Sequence, residues 1–78
     1  MPTVLRWNAY RFYFFSNEGT EPAHIYVDKG GCTAKFWLTD CRLARNVGFS
    51  HREVAELSDK MREQRDAFLE AWRGYFGG

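Results

Sequence analysis

Cysteine is scarce, long apolar runs are missing and neither sign of charge prevails in these 78 residues, and each shortage removes a class of protein. Cys32 and Cys41 are the only two cysteines and close at most one bridge, which excludes a disulfide framework. With no charged and apolar leader at the start, the expectation is a cytoplasmic chain whose thiols are reduced and structural. A spanning helix needs about 18 to 20 consecutive apolar residues. No run comes near that length, so no membrane contact is expected. Eleven Lys and Arg against ten Asp and Glu leave +1, short of the basic field on which non-specific nucleic-acid binding relies. Residues 1–48 carry six cations and four anions, and residues 49–78 five and six, so only the first part leans towards meeting anions.

What the chain does have is aromatic: three Trp, four Tyr and seven Phe. A single domain this small buries only about 60 to 65% of the surface its unfolded chain exposes, so its core needs reinforcement. Rings that bury on the order of 150 to 250 Å² each supply it. Self-association as a homodimer would add more.

The order of patterns predicts one α+β domain over residues 1–78: a four-stranded antiparallel sheet made of two hairpins, then one long C-terminal helix packed on one face. Thr3 to Trp7 and Tyr10 to Ser16 flank the tight turn Asn8-Ala9. Asn17 to Pro22 is dense in turn formers, and His24 to Asp28 and Cys32 to Leu38 then flank Gly30-Gly31. Thr39 to Phe49 reads as an irregular connection that pins Leu43 into the core. Ser50-His51-Arg52-Glu53 has the form of a capping box and sets the helix start. Val54, Leu57, Met61, Phe68, Trp72 and Tyr75 recur at helical steps as a stripe broken at Gln64 or Arg65, with Gly74 loosening the last turn. On the outer helix face, Glu56 and Lys60 are spaced for an ion pair.

Side chains alternate along strands, so parity sorts the sheet into two faces. Phe12, Phe14, Ile25, Val27, Ala34, Phe36 and Leu38 share the face that meets the helix. Arg11, Tyr13, Phe15, His24, Tyr26, Lys35 and Trp37 share the other, which is too aromatic for an ordinary solvated surface and so marks a contact site. Tyr, Trp and Arg suit a protein partner or a second copy of the chain. The same rings could stack the bases of single-stranded nucleic acid while Arg11 and Lys35 meet phosphates. Catalysis would assign proton transfer to His24, with Tyr26, Arg11 and Lys35 around a phosphate.

Other chemistry is less well signalled. Glu21, His24, Asp28, Cys32 and His51 include metal-ligating types, but none is paired at the close spacing zinc sites use, so neither a metal nor any other cofactor is expected. Cys32 has no base nearby in sequence that would make it a nucleophile. Gly30-Gly31 lacks the Lys-Ser or Lys-Thr of a phosphate loop.

The segments Pro2-Thr3-Val4-Leu5-Arg6, Arg11-Phe12-Tyr13-Phe14-Phe15-Ser16-Asn17-Glu18 and Glu21-Pro22-Ala23-His24-Ile25-Tyr26-Val27 carry a resemblance. So do Ala34-Lys35-Phe36-Trp37-Leu38 and Leu43-Ala44-Arg45-Asn46-Val47-Gly48-Phe49-Ser50. With these the chain resembles a family of small bacterial proteins, domain-of-unknown-function family 4160. Members of that family commonly have Glu-Pro-Pro-His-x-His-Val at the third strand. His24 matches the first histidine, Tyr26 replaces the second, and Ala23 replaces the second proline, so a paired-histidine site would be half missing here. The resemblance implies a gene layout in which a second small protein, able to carry a helix-turn-helix, is encoded alongside, as in toxin and antitoxin pairs.

The expected function is a non-catalytic interaction module, the partner-binding component of a toxin-antitoxin-like or regulatory pair. The alternatives are an RNA-cleaving toxin that uses His24 as general acid or base, and a phage-type inhibitor that binds a host complex.

Overall fold

The structure is a computed structural model and describes residues 2–77. Strands β1 (Thr3–Trp7), β2 (Tyr10–Tyr13), β3 (His24–Lys29), β4 (Cys32–Trp37) and β5 (Leu43–Val47) precede one helix, α1 (His51–Phe76). The sheet has five strands, not four, in the order β1-β2-β3-β4-β5, and every neighbouring pair is antiparallel. The expected irregular connection is therefore half strand. Leu43, expected in the core, is 40% exposed. A register shift between Lys35 and Phe36 sets Leu43 opposite Phe36 on the sheet's edge strand, which has no neighbouring strand on its other side among the described residues.

Local chemistry places the turns. Gly30 and Gly31 have φ of 53° and 85°, the pair of positive values that a two-residue hairpin with native twist requires. Asn8 takes φ 54° in the first turn, which its short side chain tolerates. Gly48, at φ 96°, turns the chain from β5 towards the helix, and a Cβ there would come within 2.8 Å of Cys32 Sγ. Asn46 braces this turn from both sides. Its Nδ2 donates to Phe49 O at 2.9 Å, and Phe49 N donates to its Oδ1 at 3.1 Å.

The helix starts at the expected capping box: Glu53 N donates to Ser50 Oγ and Ser50 N donates to Glu53 Oε1, both at 3.1 Å. Leu57, Met61, Phe68 and Trp72 are buried against Phe12, Phe14, Ile25, Val27, Ala34, Phe36 and Leu38. The break in the stripe is filled by a bond across layers, since Arg65 Nε donates to Leu38 O at 2.7 Å and its guanidinium also reaches Thr39 O. Tyr75, assigned to the stripe by spacing, is 53% exposed, and the last ring to pack on the core is Phe76. Gly74 leaves the helix intact to Phe76. Lys60 pairs with Glu63 Oε1 at 3.1 Å in place of Glu56. Cys32 and Cys41 are free thiols, and Cys41 is buried.

Candidate functional site: the outer face of the sheet

Because α1 covers one face only, the site consists of what the strands present on the other. Register fixes the layout: Tyr13 lies beside Tyr26, Tyr26 beside Lys35, His24 beside Trp37 and Arg11 beside Asp28. Six of the seven residues assigned to this face by parity thus sit on three adjacent strands, and Phe15, just past β2, joins them through its contacts with Tyr13 and Tyr26. They differ sharply in access. Tyr13 is 4% exposed and His24 is fully buried, while Arg11, Phe15, Tyr26, Lys35 and Trp37 are half-buried.

The rings cover one another. Tyr13 and Tyr26 stack with centroids 5.6 Å apart, and Phe15 sets its edge against both, at 5.5 Å and 4.8 Å. The Arg11 guanidinium lies 4.4 Å above the Tyr13 ring and donates to Thr3 Oγ1. The Lys35 ammonium sits 4.5 Å over Trp37 and bonds Glu21 Oε1 at 2.9 Å. Cation–π contacts at such partly exposed sites contribute about 0.5–1 kcal/mol each and hold the long side chains down on the rings.

Two carboxylates organise the polar atoms. Asp28 Oδ1 accepts from Tyr13 OH at 3.0 Å and from Thr33 Oγ1 at 2.9 Å. Glu18 Oε1 accepts from Tyr26 OH at 3.0 Å and faces His24 Nε2 at 2.9 Å. The other ring nitrogen of His24, Nδ1, lies 2.8 Å from Pro22 O, a carbonyl that can only accept, so Nδ1 carries its proton. Trp72 closes the pocket from the helix side, 4.9 Å from the imidazole.

The two phenols are correspondingly hard to ionise. Burial, then the bond to Asp28 and that carboxylate's charge, push Tyr13 up to about 12, with Arg11 opposing. Burial, then the bond to Glu18 and its charge, do the same to Tyr26, with Arg45 opposing. Glu21 is held below the usual carboxylate range chiefly by its bond to Lys35.

Sequence reasoning missed four contributors. Asp28 and Thr33 share strand parity with Tyr26 and Lys35 and were open to the same sorting. Glu18 comes from the turn-rich segment between strands and has no periodic signature. Arg45 lies on the strand that was read as irregular, directly opposite Lys35, where with Val47 it borders a cavity of about 290 Å³ over Tyr26, Thr33 and Ala34.

Glu18 ties its loop to the sheet through Tyr26 and the buried imidazole, so Glu18→Ala should cost about 1–3 kcal/mol by stranding polar atoms. Glu18→Gln should cost less if its amide can still meet Nε2. Urea unfolding of both variants checks this, and equal, negligible losses would mean the loop is not anchored here.

Among the described residues, no three His, Cys, Asp or Glu are grouped as a metal site, and no helix is long and apolar enough to cross a membrane. The sequence model of a family described as "Domain of unknown function (DUF4160)" matches residues 9–73, most of the chain. Searches of curated proteins and of solved structures gave no significant match.

Proposed function

The chain belongs to the DUF4160 family, and on that premise we propose that it is a non-catalytic interaction module that binds a protein partner through the outer face of its sheet. The observation that carries this reading is the outer face itself, where Phe15, Tyr26 and Trp37 stand half-buried without a covering layer, flanked by Arg11, Lys35 and Arg45. Aromatic rings and arginine are what partner surfaces concentrate. The gene layout that the family resemblance implies supplies the class of partner, the second small protein of a toxin-antitoxin-like or regulatory pair. An inhibitor that binds a host complex would use the same surface.

His24 is a poor acid or base for RNA cleavage in this arrangement. The imidazole is fully buried and both its nitrogens are engaged, so a scissile phosphate could reach it only after Glu18 and its loop had moved. The residue instead makes an internal connection.

The test is the affinity of the purified neighbouring-gene product for the parent chain and for Trp37→Ala and Phe15→Ala. At least one variant should bind about tenfold more weakly, or about 1.4 kcal/mol, with its circular dichroism unchanged. Full affinity in both would move the interface off this face. RNA cleavage by the parent that His24→Ala abolishes would replace the proposal with the enzyme reading.

A further inference from the structure

The two edges of the sheet are unequal. Strand β1 is half-buried at Val4, Leu5 and Trp7, which pack against the core, whereas every residue of β5 is exposed. Exposed edges present unpaired backbone donors and acceptors and are usually blunted by proline, by bulges or by charge. Leu43-Ala44-Arg45-Asn46-Val47 has no proline, its register shift is confined to the Leu43 end, and its one charge is Arg45.

That charge is unanswered. Arg45 stands directly opposite Lys35, and like charges at paired positions repel. Lys35 is neutralised by Glu21, but among the described residues no carboxylate lies within 4.0 Å of Arg45. The cation borders the 290 Å³ cavity, with the 47% exposed Val47 beside it as an apolar wall. A strand laid along β5 would lie about 4.8 Å further out and would turn alternate side chains onto this face, next to Arg45 and Val47.

We propose that β5 is a strand-addition edge that takes an extended, acidic segment of the partner protein, with a carboxylate of that segment meeting Arg45 at the cavity. This rests on the partner-binding reading above and names the chemistry of the partner's docking segment. Charge selects the occupant. If β5 paired with β5 of a second copy about a two-fold axis at its centre, Arg45 would face Arg45, a repulsion that an acidic segment turns into attraction. Main-chain bonds then supply affinity and the alternate side chains supply specificity.

Three synthetic peptides probe this against the full isotope-labelled chain by nuclear magnetic resonance: Thr-Val-Glu-Val-Glu-Val-Thr, the same sequence with Lys for Glu, and the Glu form N-methylated at alternate residues. The Glu peptide should shift and protect the amides of residues 43–47 and bind at least tenfold more tightly than the Lys peptide. Arg45→Glu should reverse that order. The N-methylated peptide should lose binding, because it cannot complete the ladder. Equal binding of the Glu and Lys peptides, retained binding of the methylated one, or a dimer of the parent in sedimentation whose formation protects the amides of residues 43–47 would each overturn the proposal. If the purified partner binds Arg45→Glu as tightly as the parent but loses affinity for Trp37→Ala, the strand-addition proposal falls while the outer-face reading stands.

Discussion

Phe14→Ala should lower the unfolding free energy by about 3–5 kcal/mol, out of a total of about 4–12 kcal/mol for a chain of this length. Phe14 follows β2 and is 99% removed from solvent. Its ring lies 5.3 Å from Trp72 and 5.4 Å from both Tyr75 and Phe76. Its amide also donates to Pro2 O at 3.2 Å, which holds the start of the chain against the same spot. The truncation therefore leaves a cavity where the last turns of α1 meet the sheet, with large rings that cannot collapse into it without leaving their own packing. Urea unfolding followed by tryptophan fluorescence measures the loss, with Trp72 reporting from the cavity wall. Tyr75→Ala is the companion variant: its ring is mostly in water, so it should cost far less. Equal, small losses in both would mean that the end of the helix is not docked on the sheet as described.

The inner face could be read from parity alone because its residues are apolar, alternate without interruption and all need the same cover. The capping box was equally readable, since Ser50 and Glu53 act within one turn. What sequence did not reveal has a common cause: it depends on partners distant in the chain. Strand β5 is held by backbone bonds to β4 and exposes all its side chains, so Leu43 to Val47 show no alternation to detect. Arg65 could be seen as a break in the apolar stripe, but its bonds to Leu38 O and Thr39 O exist only once the helix lies on the sheet. His24 was sorted to the correct set with Tyr26 and Trp37, yet its burial comes from Trp72 and from the Glu18 loop, at the end of the sheet where the two faces meet. At Tyr75 helical spacing overshot, because its ring meets Phe14 by one edge and leaves the rest in water, while Phe76 packs on the core.

The phenols of the outer face set an alkaline limit on the fold. Tyr13 and Tyr26 are pushed up to about 12 in the native state, from about 10 when unfolded, and Tyr10 is raised as well, mainly by burial. Below pH 10 native and unfolded chains both hold these protons, so the contribution of the neutral phenols is fully present. Between pH 10 and 12 the unfolded chain releases its protons first. It then binds fewer protons than the native chain, and stability must fall as pH rises. The cause lies in Asp28 and Glu18: each accepts a phenolic proton, and a tyrosinate in its place would set negative charge against negative charge in a half-buried layer. The chain should therefore unfold cooperatively between pH 10 and 12, with tyrosinate absorbance rising together with the loss of near-ultraviolet circular dichroism. Tyr13→Phe and Tyr26→Phe each remove one titrating group. Both should lose about 1 kcal/mol at neutral pH with the hydrogen bond, yet decline less steeply above pH 10 than the parent. Ionisation of all four tyrosines near pH 10 with the dichroism intact would show that these rings are open to solvent. The self-covered aromatic layer on which the partner-binding surface rests would then be wrong.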